Sequence, residues 1–143
     1  MRLYLFVYGI NSANGTPYPG YLIQTDDGTN VLVDTGFGTE MIGAYKQASE
    51  PGPKVDEGDY VVNQLAALGL APRDIRYLVA THLDGDHSGG HDAFPDSEIV
   101  IQRSIWMSRG RIPASRRRAP IGTRLASTTA PWTATPNCCP ASS

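Results

Sequence analysis

Residues 81–90 read Thr81-His82-Leu83-Asp84-Gly85-Asp86-His87-Ser88-Gly89-Gly90. Two imidazoles and two carboxylates are packed into this turn, directly after an apolar run, Ile75-Arg76-Tyr77-Leu78-Val79-Ala80, that reads as a buried strand. Taken singly, each group has an ordinary reading: a satisfied histidine, a solvated Asp-x-Asp loop, or a helix N-cap. Taken together on a glycine-flanked turn, they would repel one another or stay unsatisfied without a cation. Imidazole nitrogen with carboxylate oxygen is a donor set for zinc, and equally for manganese or iron. Residues i and i+2 of an extended chain point the same way, so His82 and Asp84 can close on one ion while Asp86 and His87 reach a second. His91 lies outside this pattern and reads as a helix-surface residue. Gly89 and Gly90 allow a tight turn into the next element.

Outward from that stretch, the upstream chain supplies the frame. Leu3 to Tyr8 is strand-like, and Asn11 to Pro19 reads as a loop rich in Asn, Gly and Pro. Tyr21 to Thr25 and Val31 to Val33 flank Asp26-Asp27-Gly28, a hairpin signal. The second of these strands delivers Asp34, which read alone is a turn residue before Gly36 and Gly38. Thr39 to Ala48 is expected to be helical, ended by Glu50-Pro51-Gly52-Pro53. Asp59 reads as an N-cap for a helix with Val61, Val62, Leu65 and Leu68 on one face and Gly69 as its stop. Pro72-Arg73-Asp74 turns the chain into the strand before the histidines. Glu98 to Gln102 is a further strand, and Trp106 is the last residue that fits a folded pattern.

The run His82-x-Asp84-x-Asp86-His87, with Gly89-Gly90 after it and Val31-Leu32-Val33-Asp34-Thr35-Gly36 before it, resembles the metallo-β-lactamase superfamily. Within it, LGLAPRDIRYLVATHLDGDHSGG followed by FPDSEIVIQRSIW is most similar to the N-acyl-homoserine lactonase branch, over roughly residues 3–106. Asp84 departs from the family pattern, which has histidine there. The resemblance implies an α/β fold, the N-terminal half of an αβ/βα sandwich. It implies two divalent metal ions, zinc or else manganese or iron, on His82, Asp84, Asp86 and His87. It also implies that a bridging hydroxide attacks a lactone carbonyl, with Asp86 as the catalytic proton shuttle. Asp34 becomes a buried carboxylate bracing the metal loop, and Met41, Ile42 and Tyr45 candidates for an acyl-chain wall. The implied substrate is a small-molecule lactone or other ester-like compound; the alternatives are a thioester or β-lactam hydrolase of the same superfamily and a catalytically inactive fragment. The family completes its site with a later histidine, a bridging aspartate and a final histidine, whereas no histidine follows His91 in this sequence.

Charge divides the chain in two. All 14 acidic residues lie at or before Glu98, against only Arg2, Lys46, Lys54, Arg73 and Arg76, and the remaining seven of the 12 basic residues are arginines after it. The net charge of −2 hides an acidic first part and a basic last part. Two segments are therefore expected: residues 1–106 as the half-domain, and 107–143 as a tail of Arg, Pro, Ala, Thr and Ser. Such a composition buries too little apolar surface to offset chain entropy and reads as disordered. Its arginines lack a surrounding fold or aromatic platform, so no nucleic-acid partner is expected. A reading-frame shift explains the tail more sharply. GC-rich codons for Pro120 to Ser142, read from the third base, give HWDAPGLDYRAVDGDTELLPGV without a stop, a string with acids, turns and apolar alternation. No apolar stretch approaches the roughly 18 residues of a membrane span. Tyr4 and Tyr8 suit a first strand better than a signal peptide. Cys138 and Cys139 are adjacent and cannot form an ordinary framework disulfide. A cytoplasmic location is expected.

Overall fold

Strand β1, Arg2–Asn11, turns Phe6 and Tyr8 into the core and leaves Leu3, Leu5 and Val7 on the other face, the two-residue period of a pleated strand. The structure, a computed structural model, describes residues 1–45 and 51–108. β1 pairs antiparallel with β2, Pro17–Gln24, which pairs antiparallel with β3, Asn30–Val33, across the expected Asp26-Asp27-Gly28 turn. β3 then runs parallel to β5, Tyr77–Ala80, and β5 parallel to β6, Glu98–Ile101. The short β4, Pro53–Lys54, borders β1 and completes a six-stranded sheet in the order β4-β1-β2-β3-β5-β6.

Helix α1, Val61–Ala67, supplies the crossover between β3 and β5, and its Val61 and Leu65 are fully buried. They join Leu22, Leu32, Leu78, Ile75, Phe94 and Ile99 in one core on the inner face. Gly69, at φ 75°, takes the left-handed conformation that closes the helix, as expected from the sequence. The register places Leu3, Leu5, Tyr21, Ile23, Val31, Val33, Tyr77 and Val79 together on the opposite face. Leu3 and Leu5 are 65% and 63% exposed there. The sheet thus carries the core on one face and an apolar surface on the other.

Several local expectations are corrected. Pro17 to Pro19 belong to β2 rather than to a loop; they stand beside an irregularity between Val7 and Ile10, where the ladder does not need the amide donors that proline lacks. The helix expected over Thr39–Ala48 is a single 3-10 turn, Thr39–Met41, because Ile42 leaves it to bridge Val55 and Gly43 adopts φ 65°. The end of that expected helix, residues 46–50, lies outside the described residues. Tyr60, not Asp59, stands at the N-cap of α1; the Asp59 carboxylate instead accepts the Asp56 amide at 2.9 Å within the preceding 3-10 turn, Glu57–Asp59. His91 is buried, 7% exposed, and opens a 3-10 turn over His91–Ala93, not a helix surface. Helix α3, Arg103–Ser108, runs across the segment boundary expected at residue 106, and the expectation of a disordered tail falls on residues 109–143, outside those described.

The ring of Tyr8 fills a notch floored by Gly20 and Gly36, where an added Cβ would collide with it. Gly36 also sits at φ 64°. Gly36→Ala is therefore expected to cost about 2–4 kcal/mol, combining overpacking with left-handed strain. Urea unfolding of the two proteins measures it, and equal midpoints would contradict this account of the notch.

Candidate metal centre

Two loops make the site, one from each of two neighbouring parallel strands. At the end of β3 the chain turns through Asp34-Thr35-Gly36, and at the end of β5 through Thr81 to Gly90, both at the carboxyl ends of their strands. The loops are tied together along the backbone. The Asp34 amide donates to the Val79 carbonyl at 2.9 Å, the Thr35 amide to the His87 carbonyl at 2.8 Å, and the Gly89 amide to the Gly36 carbonyl at 2.8 Å. The Thr35 hydroxyl donates to the His87 carbonyl at 3.2 Å and accepts the Gly90 amide at 3.2 Å.

Asp84 starts the one-turn helix α2, Gly85–Ser88: its carbonyl accepts the His87 and Ser88 amides at 3.0 and 2.9 Å. That turn sets Asp86 and His87 beside His82. Donor atoms from His82, Asp86 and His87 lie within 4.8 Å of one another. The His82 and His87 rings are 3.7 Å apart between centroids, and the Asp86 carboxylate is 3.4 Å from His87 Nε2. The Asp84 carboxylate lies 3.7 Å from His82 Nε2, outside the three-donor group, and its side chain is 75% exposed.

Behind these donors stands Asp34, buried at 4% exposure and the one non-glycine residue at positive φ (59°) among those described. Its Oδ1 accepts the Thr81 amide at 2.8 Å and its Oδ2 the Thr81 hydroxyl at 2.7 Å. Oδ2 also meets His87 Nδ1 at 2.9 Å. A carboxylate only accepts, so His87 Nδ1 carries the proton and Nε2 keeps its lone pair. Thr81 repeats the device for His82. Its hydroxyl proton is committed to Asp34, so its oxygen accepts from His82 Nδ1 at 3.0 Å and leaves the lone pair on His82 Nε2, beside the Asp84 carboxylate. Nothing in the sequence pattern marked Thr81, whose hydroxyl matters only because Asp34 folds back onto it. Beneath Asp34, the Tyr8 hydroxyl donates to the Asp34 carbonyl at 2.9 Å. Burial, and secondarily the Asp34 charge, push the Tyr8 phenol far up, which keeps it a proton donor.

The donor set fits a divalent metal. Two imidazole nitrogens and one carboxylate oxygen match the composition of catalytic zinc sites. Ligand atoms around a tetrahedral ion stand roughly 3.4 Å apart, so the three donors need only a modest contraction.

A family model described as the metallo-beta-lactamase superfamily matches residues 15–116. The chain belongs to that superfamily. Among curated members, an N-acyl homoserine lactonase of Bacillus sp is 35% identical over 111 residues, covering 67% of this chain and 44% of that protein. An N-acyl homoserine lactonase of Bacillus thuringiensis is 37% identical over 92 residues, covering 60% and 36%. The chain thus spans less than half the length of these relatives. Among solved structures, a mutant of B. thuringiensis AiiA with N-decanoyl-L-homoserine at its active site matches with TM-score 0.66 and 26% identity, over 86% of this chain and 58% of that one. An N-acyl homoserine lactone hydrolase with the product N-hexanoyl-L-homoserine at its catalytic metal centre matches equally, at TM-score 0.66 and 26% identity over the same shares. The superfamily resemblance read from the sequence is therefore shown, together with its mixed α/β fold. No helix among the described residues is long and apolar enough to cross a membrane.

Proposed function

We propose that His82, Asp86 and His87 hold a divalent metal in a hydrolase that opens the ring of N-acyl homoserine lactones. One observation carries the reading: converging donors oriented by a buried carboxylate, in a chain whose superfamily relatives are named for that activity. A metal of this kind, when bound, makes a nucleophile available from water near neutral pH and polarises an ester carbonyl. The chain's own residues do the rest. His82 and His87 present Nε2, held there by Thr81 and Asp34. Asp34 is a support for the centre rather than a ligand. Asp86, 31% exposed at its side chain, is the group that carries a proton to the departing ring oxygen. Overall, one water adds across the ester: its oxygen joins the acyl carbon, the ring C–O bond breaks, and a proton ends on the new hydroxyl. Asp84, beside His82, is the donor assigned to a second ion, with zinc, manganese or iron as the metals this donor chemistry accepts.

The test is lactone turnover and metal content before and after chelation, in the chain continued through the shifted reading frame. Ring opening should disappear with the metal and return on reloading. Hydrolysis that persists undiminished after complete chelation would sink the reading. A second reading, a metal-binding chain without turnover, is favoured by the Asp84 carboxylate, which lies outside the three converging donors and is exposed.

Asp84 supports a separate prediction. A carboxylate in place of a neutral imidazole adds one negative charge and a harder oxygen, which moves preference from zinc toward manganese or iron. Asp84→His should shift competitive loading toward zinc by about tenfold. Metal analysis showing the same occupancy ratio in both proteins would refute the assignment.

A further inference from the structure

We propose that Tyr8 is a positioning residue for the metal centre, acting through Asp34 on His87. The inference rests on the metal reading above and extends it by one residue into the sheet. Asp34 is asked for two things at once. Its backbone must hold φ 59°, which side chains rarely adopt, and its carboxylate must meet both Thr81 and His87. Its amide is fixed by Val79. Its carbonyl is fixed by the Tyr8 hydroxyl, 2.9 Å away and buried. With both ends of the residue tied, the carboxylate has one direction, toward His87 Nδ1.

Tyr8 is itself placed for this task. It is 1% exposed, and its ring occupies the notch left by Gly20 on the paired strand and Gly36 two residues beyond Asp34. A side chain at either glycine would displace the ring, so the sequence keeps both positions empty for it. Phenylalanine would fill the notch equally well. The hydroxyl is therefore explained by the Asp34 carbonyl and not by packing. Loss of that bond should free the Asp34 peptide to rotate, loosening the carboxylate from His87 while the core stays filled.

Tyr8→Phe in the full chain, with Ile99→Val as a core control on β6, two strands across the sheet from β3, tests this. Two readouts are used: long-range proton–nitrogen spectra of the histidine rings without metal, and zinc affinity by competition with a chromophoric chelator. In the wild type, His87 should show the Nδ1-protonated tautomer. Tyr8→Phe should move His87 toward a mixture of tautomers and weaken zinc binding by roughly tenfold, the range for loss of a group supporting a ligand. Ile99→Val should do neither. Unchanged His87 signals with unchanged zinc affinity in Tyr8→Phe would overturn the proposal, and so would an equal loss in the Ile99→Val control, which would make Tyr8 merely structural. Where Tyr8→Phe does not fold, fluorotyrosine at position 8 alone keeps the ring and alters the hydroxyl; His87 signals that move support the proposal, and signals that stay refute it. A wild-type chain that takes up no zinc sinks the metal reading instead, while the tautomer comparison still decides whether Tyr8 positions His87.

Discussion

His87→Ala is expected to weaken zinc binding by more than a hundredfold, beyond the roughly 10- to 100-fold range known for groups that only support a ligand. His87 is where the site's two layers meet. Its Nε2 is one of the converging donors, and its Nδ1 donates to buried Asp34. Alanine removes both and leaves Asp34 with a carboxylate oxygen that has lost one of its two partners. The backbone clamp survives, since Thr35 bonds the His87 carbonyl and not its ring. The variant should thus fold and yet fail to hold metal. Equilibrium dialysis with elemental analysis decides it, and stoichiometric zinc in His87→Ala would remove this residue from the centre.

The second large effect concerns turnover. The chain as it stands is expected to open N-acyl homoserine lactones no faster than its own His82→Ala control, whereas the chain continued through the shifted frame should be active. Enzymes of this general kind accelerate hydrolysis by at least about 10⁶-fold, so the contrast is large. The reasons are physical. Three donors fall together among the described residues, enough for one ion, while Asp84, the donor assigned to a second, stands outside that group and exposed. The outer face carrying Leu3, Leu5 and Tyr21 is exposed, and a contiguous apolar surface of that kind promotes association. Size-exclusion chromatography and a ring-opening assay on both proteins test the pair of claims. A soluble monomer of the present chain with wild-type-like turnover would overturn them, and DNA whose shifted frame is full of stops would remove the frame-shift explanation.

What the sequence disclosed and what it hid follow from how local each signal is. The β2–β3 turn and α1 were legible because period and punctuation are written within a dozen residues, as in the spacing of Val61 and Leu65 before Gly69. The run His82 to His87 is just as local, and three of its four expected donors, His82, Asp86 and His87, fall together. The Thr39 turn was not: its fate is set by the bridge between Ile42 and Val55, which no local pattern announces. Asp59 was misplaced by one residue because an acid can serve either of two adjoining turns, and the Asp56 amide claimed it. His91 looked like a surface residue because its burial follows from Gly90 packing under Thr35, a contact from 55 residues away. Thr81 and Tyr8 were unreadable as site residues for a related reason. Each becomes relevant only through Asp34, which lies 47 residues before Thr81 and 26 after Tyr8.

That clamp between residues 34–36 and 87–90 also fixes when the centre can exist along the folding route. It joins loops at the ends of two parallel strands, with β3 and β5 paired as Val33 to Val79. The cost of closing so long a loop is met before any ligand is oriented. Although the three donors are close in sequence, their orientation by Asp34 waits on that closure, so tight metal binding is expected at the assembled site rather than at the unfolded chain. Added zinc should slow unfolding in proportion to the stability it adds and leave the refolding rate almost untouched, the kinetic pattern of an interaction absent from the transition state.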